Sequence, residues 1–314
     1  MKTAIVHAGL ACAIWGAVIV APSLIGDVNP IAISCLRFIC YGLFAMVIAM
    51  PQARSLTGRL TRYDLLLLGE LALTGNVLYF VLLSGAVQFA GVAIAALING
   101  LIPVALILMG RRFAGASLLS TLASLTLIVT GIAWINLPAV KTILAGHGGI
   151  DQLLGAGLAG LGVLSWSWFA LRNARHLQSG RFKPSEWSTL CGISTGAVGL
   201  AIGAVTLLIA PGPMSAGLGS SGLATVVATI LFLAIGGSWI ANALWNSAAQ
   251  RLPVSISGLM IVFETFCALT YSFVMAKSLP TVGEVLGMTL MLGGVFMAVR
   301  AQSRASGPVM AKAA

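Results

Sequence analysis

Ala86-Val-Gln-Phe-Ala-Gly-Val-Ala-Ile94 and, 162 positions later, Ala248-Ala-Gln-Arg-Leu-Pro-Val-Ser-Ile256 keep alanine, glutamine, valine and isoleucine at the same four places. Each stretch ends one apolar run and begins the next. Trp15 and Trp166 occupy corresponding runs, as do Gly131 and Gly294. The chain therefore divides into two similar halves.

Composition says what kind of halves they are. The 314 residues are 59% hydrophobic and 8% charged, with a mean hydropathy of +1.04. Soluble domains carry about a quarter charged residues, so these few charges cannot cover a water-facing surface. The outer surface must face lipid. The 37 glycines fit, because helices approach closely in lipid through small residues.

A span needs about 20 apolar residues to cross roughly 30 Å of hydrocarbon. That ruler marks ten candidate spans, at 4–25, 30–50, 64–86, 91–110, 118–136, 152–172, 187–209, 222–248, 254–274 and 281–300. The longest connection, 137–150, contains Gly146, Gly148 and Gly149 and reads as a joint between units 1–145 and 146–314. Lys2 precedes an apolar run as in a secretory signal, but the run is long and has a repeat partner, so its retention is expected.

The net charge of +10 does not point to nucleic acid, because the basic residues form no single face. They sort by loop instead. Lys2, Arg54, Arg59, Arg62, Arg111, Arg112, Arg172, Arg175, Arg181, Lys183, Arg251, Arg300, Arg304 and Lys312 fall on one side, 14 of the 17. The positive-inside rule then puts both termini in the cytoplasm. Because five is odd, the second half enters the membrane from the opposite side. The expected fold is an all-α integral membrane protein, ten transmembrane helices built as two inverted five-helix repeats around a central cavity. Such a pair of halves has two mirror-like states of similar energy, the condition for alternating access.

The stretch Gly258-Leu-Met-Ile-Val-Phe-Glu-Thr-Phe-Cys-Ala-Leu-Thr270 holds one acid, Glu264, about ten residues into its span. At roughly 1.5 Å per residue it lies some 15 Å deep, where an acid normally faces a bundle interior or a water-filled cavity. On a helix it shares a stripe with Ser257, Ile261, Ala268 and Tyr271. The blander reading is a neutral, hydrogen-bonded structural Glu264.

Other spans offer polar and aromatic groups at comparable depth. These are Asn76 and Tyr79 in span three, Asn99 in span four, and Trp239, Asn242 and Asn246 in span eight, with Ser238 and Trp245 beside them. Trp15 and Trp166 lie too deep for an interfacial belt. Amides fix polar ends of a ligand and rings supply apolar contact, so the expected binding set is Trp15, Asn76, Tyr79, Asn99, Trp166, Trp239, Asn242, Asn246, Ser257 and Glu264. Taken singly, each amide could equally tie neighbouring helices together. Pro103 removes a backbone donor in mid-span four and is the expected hinge.

Other features carry less. Arg37, about seven residues into span two, is expected to snorkel outward or pair with Asp27, and Glu70 to snorkel at the end of span three. Gly192, Gly196, Gly199 and Gly203 form a close-packing seam. His7, His147 and His176 lack metal-ligand spacing, and Cys12, Cys35, Cys40, Cys191 and Cys267 are scattered in apolar runs. No metal, cofactor or disulfide framework is expected.

The ordered set of Trp15-Gly16, Arg37-Phe38, Ile102-Pro103-Val104, Trp166 and Gln250-x-x-Pro253 resembles the EamA type of the drug/metabolite transporter superfamily over nearly the whole chain. The chain departs from that pattern in places. Glu264-Thr265-Phe266 stands where Glu-Pro-Val is frequent, and Gly110-Arg111 where Gly-Glu is frequent, a pair kept at Gly283-Glu284. The resemblance implies a transporter in the bacterial inner membrane. Exporters of amino acids, aromatic ones included, are the nearest analogy. Quaternary-amine, drug or nucleoside transport stays open as an alternative. A membrane enzyme on a lipid substrate is more remote, for want of clustered acids, histidines or a nucleophile–base set. The expected partners are a small-molecule substrate and the bilayer, with no nucleic acid, and a monomer is the expected form.

Overall fold

In lipid every backbone polar group must be satisfied inside the chain, which leaves the helix as the natural form for these apolar runs. The computed structural model describes residues 2–25, 28–109, 118–137, 141, 149–209, 212 and 222–310, and among them there is no strand. The first group of helices is α1 (Lys2–Val20), α2 (Pro30–Ala49), α3 (Ala53–Arg59), α4 (Arg62–Ala72), α5 (Leu78–Ala90), α6 (Val92–Asn99), α7 (Ile102–Met109) and α8 (Leu118–Ile135). The second is α9 (Ile150–Gln178), α10 (Pro184–Ile209), α11 (Leu223–Leu231), α12 (Ala241–Ala249), α13 (Val254–Met260), α14 (Val262–Ala276) and α15 (Val282–Met310). Most of the expected 137–150 joint, with His147, lies outside the described residues, as do Asp27 and Arg111.

Some of these helices run on into one another, and among the described residues nine of the resulting rods are long and apolar enough to cross a membrane. Leu66, Leu108 and Leu208 stand exposed on their outer faces, at 76%, 75% and 85%. That is the surface a bilayer would cover. Thr61 and Asp64 cap α4 reciprocally, and Thr281 and Glu284 do the same for α15.

Two rods are interrupted by π-helical turns. Leu73–Val77 joins α4 to α5, and Phe232–Ile240 joins α11 to α12. Shifted by 162 positions, the first interval falls inside the second. A π turn displaces the ladder by one residue and releases carbonyls to other partners. Here Ser165 of α9 donates to Thr74 O at 2.8 Å, and Trp15 of α1 to Gly237 O at 2.9 Å.

The expected span 91–110 is two short helices, α6 and α7, that meet at Gly100-Leu101. Pro103 has no N–H, so the regular bond back to Asn99 O cannot form. Leu101 N closes instead on Ile98 O at 2.9 Å. A smaller break separates α13 from α14, where Ile261 N bonds Gly258 O at 3.3 Å and Glu264 N bonds Ile261 O at 2.9 Å. Asn99 and Ile261, which mark the two breaks, are themselves 162 positions apart.

Packing joins the N-terminal helices to the C-terminal ones. The main partners are α1 with α12 and α14, α9 with α5, α6 and α7, α2 with α10, and α8 with α15. Small residues make these approaches possible. A methyl on Gly196 of α10 would come within 2.5 Å of Gly42 Cα of α2, and one on Gly131 of α8 within 2.6 Å of Gly287 O of α15. The principal apolar core, with Trp245, Leu252, Leu259, Ile128 and Met291, lies between these pairs.

Candidate functional site

Glu264 is in the first turn of α14, and α1 fixes its backbone. A methyl on Gly16 would reach 3.0 Å from Glu264 O and 2.7 Å from Cys267 Cβ, so only glycine lets the two helices lie this close. One turn earlier on α1, Cys12 donates to Met260 O at 3.3 Å. Glu264 interacts electrostatically with Tyr79 of α5 and with Arg37 of α2. Its side chain thus belongs to the interior between helices and not to the lipid face. Tyr79 in turn donates its hydroxyl to Asn99 Oδ1, 3.2 Å away at the end of α6. Three of the expected residues are therefore linked around one place: Tyr79, Asn99 and Glu264.

Arg37 is the residue that sequence reasoning missed. Its Nε turns inward and does not snorkel, while Asp27, the other expected partner, lies outside the described residues. Its Nε donates to Ser238 Oγ at 2.9 Å, and that hydroxyl donates to Leu233 O at 3.0 Å. The π turn makes this possible by presenting Gly236-Gly237-Ser238 to α1 and α2. A methyl on Gly237 would strike Val18 Cγ2 and lie 3.8 Å from Arg37 Nη2. The same turn holds Trp15 through Gly237 O, and the Trp15 ring tilts against Trp245 with centroids 5.3 Å apart. The signal available in sequence was that Arg37 stands alone among the basic residues inside a span.

Glu264 and Arg37 do not close to an ion pair. Among the described residues the Glu264 carboxylate has no hydrogen-bond partner, and Arg37 uses only its Nε. Arg37, Tyr79 and Glu264 all keep part of their surface accessible, although they come from different helices packed together. Opposite charges thus lie near one another between the packed helices, with Tyr79 beside Glu264.

The remaining expected residues lie elsewhere. Asn246 is 3% exposed, and both ends of its amide are used. It accepts from Asn173 at 2.8 Å and donates to Ser188 Oγ at 2.9 Å, while Trp187 donates to Asn173 Oδ1 at 2.8 Å. This is a satisfied network between α9, α10 and α12. Asn76 donates to Thr195 of α10 at 3.3 Å, and Asn242 donates to Ser238 O in its own helix. Trp239 donates to Thr189 at 3.1 Å and packs edge-on against Phe44, in a cleft between α2 and α10 that Gln52 and Glu186 also line. Trp166 packs on Phe169 with centroids 6.0 Å apart. Ser257 is 4% exposed, its hydroxyl without a partner among the described residues. Pro103 follows the break between α6 and α7.

A second polar cluster closes one end of the bundle. Glu70, expected to snorkel, accepts from Arg172 at 2.9 and 3.0 Å and from Trp168 Nε1 at 2.6 Å. Arg59 pairs with Glu186 at 2.8 Å, and Arg181 with Asp64 at 3.1 Å. His176 Nε2 lies 3.6 Å from Asp64 Oδ1 and its ring packs against Trp187. Every one of the charge pairs joins residues 59–70 to residues 172–186.

With this geometry in view, comparison with known proteins is informative. Residues 2–137 match the EamA-like transporter family. The inner membrane protein YtfF of Escherichia coli (strain K12) is 29% identical over 311 residues, which cover 96% of this chain and 96% of YtfF. A solved crystal structure superposes with a TM-score of 0.75 at 19% identity, covering 98% of this chain and 100% of its own, and so shares the fold. The protein is an integral membrane protein. The region that matches the transporter family ends with α8 and contains Trp15, Arg37, Tyr79, Asn99 and Pro103. Glu264 lies beyond it.

Proposed function

We propose that this protein is a secondary transporter of the drug/metabolite superfamily that exports small amphipathic metabolites, foremost amino acids including aromatic ones, by alternating access. The observation that carries the reading is the pairing of irregularities. The two π turns and the two helix breaks each recur at a spacing of 162 positions, one member in each half. Helix contacts support the same exchange: α1 meets α12 and α14 as α9 meets α5, α6 and α7, while α2 with α10 and α8 with α15 map onto themselves. Two inverted five-helix repeats, ten spans in all, account for both patterns. Discontinuous helices at the interface between such repeats are where transporters bind substrate and change access.

Both termini are then cytoplasmic, and the ion pairs of Glu70, Asp64 and Glu186 lie at the cytoplasmic end. Glu264 exchanges a proton or engages the substrate's amino group as access alternates. Amino-acid export rests on the sequence resemblance and on the chemistry around Glu264, with the EamA-like match of residues 2–137 supporting transport in general.

The test uses purified protein in liposomes, with labelled aromatic amino acids, nucleosides and quaternary amines, each with and without a pH gradient. We expect protein-dependent movement of an amino acid, reduced about tenfold or more in Glu264→Gln if a charge-assisted contact is lost. Absence of any solute movement, with chemical change in the lipid instead, would overturn the transporter reading.

A further inference from the structure

Opposite charges buried in one protein normally meet, because the cost of desolvating each is offset only by close contact. Arg37 and Glu264 sense one another but stay apart. Each is held back by its own scaffold. Arg37 is tethered through Nε to Ser238, which is itself bonded to Leu233 O, and so the guanidinium is anchored on the π turn. Glu264 is anchored by the contact of α14 with Gly16. The groups left over are the terminal guanidinium nitrogens on one side and both carboxylate oxygens on the other, neither with a partner among the described residues. Both side chains keep accessible surface in the interior.

The repeat sharpens the point. The helix α10, which answers α2 in the other half, carries no Lys or Arg, and the position 162 before Glu264 is Ile102, so neither charge has a counterpart in the other half. The backbone irregularities recur in both halves, but this pair of charges occurs once. A hinge device would be expected in duplicate. A single asymmetric pair suits a single asymmetric ligand.

We infer that Arg37 and Glu264 are the two poles of one binding site for a zwitterion, Arg37 taking a carboxylate and Glu264 an ammonium group. Tyr79, which lies near Glu264, and Trp15, held on the same π turn as Arg37, take the apolar remainder. This rests on the transporter reading above and narrows its substrate class. A zwitterion leaves no net charge buried when bound, whereas a quaternary amine meets Glu264 but leaves Arg37 uncompensated. A nucleoside leaves both poles unmatched. Arg suits the carboxylate role because its planar fork donates two parallel hydrogen bonds to one carboxylate.

The experiment separates the poles with ligand analogues before any residue is changed. Unlabelled L-phenylalanine, L-leucine, L-threonine, phenethylamine, 3-phenylpropionate and tetraethylammonium are each offered to the wild-type protein. Binding is read as a shift in thermal melting in detergent, and transport as counterflow in liposomes. At least one zwitterion is expected to bind about tenfold or more tightly than either single-pole analogue, the loss of one charge-assisted contact. Arg37→Gln should abolish the preference for phenylalanine over phenethylamine, and Arg37→Lys, which keeps the charge but not the tether to Ser238, should restore part of it. If Arg37→Gln fails to fold, the wild-type ranking and Arg37→Lys still decide. Equal or better binding of phenethylamine or tetraethylammonium by the wild-type protein would overturn the zwitterion site and leave the transporter reading standing. Movement of no solute of any class would overturn both.

Discussion

Arg37 shows how a residue's role depends on a neighbour that sequence distance hides. Seven residues into a span, its long side chain could reach either the interface or the interior, and local sequence offers no reason to choose. The choice is made by Ser238, 201 residues away and brought alongside by the packing of α2 on the π turn. Gly196 is the opposite case. Its spacing with Gly192, Gly199 and Gly203 was readable as a seam, and the structure places Gly42 of α2 against it. Gly196→Ala would push a methyl to within 2.5 Å of Gly42 Cα, which is backbone and cannot rotate away. Overpacking of this kind costs about 1–3 kcal/mol. We expect a lower melting temperature in detergent for Gly196→Ala, while Gly58→Ala, with open space around it, should melt as the parent does. Asn246 marks the limit of reading residue types. Depth and an amide made it a candidate for the cavity, yet Asn173 and Ser188 satisfy it completely.

Among the elements, the break between α6 and α7 was legible because Pro103 announces it. The break between α13 and α14 was not, since Thr265 and Phe266 give no such sign and the helix merely tightens around Ile261. The two π turns were invisible as well. A π turn is disfavoured locally and persists where other helices use the carbonyls it frees, here through Trp15 and Ser165. Replacing the proline tests the mechanical role of the first break. Pro103→Ala restores a donor in mid-helix, so α6 and α7 should join and stability should hold or rise. If the break serves access, liposome transport by Pro103→Ala should fall about tenfold, a barrier change near 1.4 kcal/mol, with helix content by circular dichroism retained. Unchanged transport would assign the break to packing alone.

At the scale of the whole molecule, the two ends differ although the backbone repeats. Where residues 59–70 meet residues 172–186 the contact is ionic and aromatic. In the corresponding contact, between the end of α1, the start of α2 and α11, it is apolar, made by Ala21, Ile25, Val28, Ala32, Val226 and Ile230. The ionic end carries the basic loops, so in the topology proposed from the positive-inside rule it is the cytoplasmic one. A fluorescent protein fused after Ala314 should fluoresce in cells, and alkaline phosphatase at the same point should be inactive. The reverse pattern would invert the topology. The sequence alone established an apolar helical membrane protein, and its spacing suggested two similar halves, because hydropathy and spacing are local quantities summed along the chain. It also marked Glu264 as the acid to explain. Which polar residues share that acid's surroundings, and that Arg37 faces it without touching it, was decided only by tertiary structure. Packing between helices determines which side chains are satisfied by neighbours, as Asn246 is, and which keep polar atoms without a hydrogen-bond partner among the described residues, as Glu264 and the terminal nitrogens of Arg37 do.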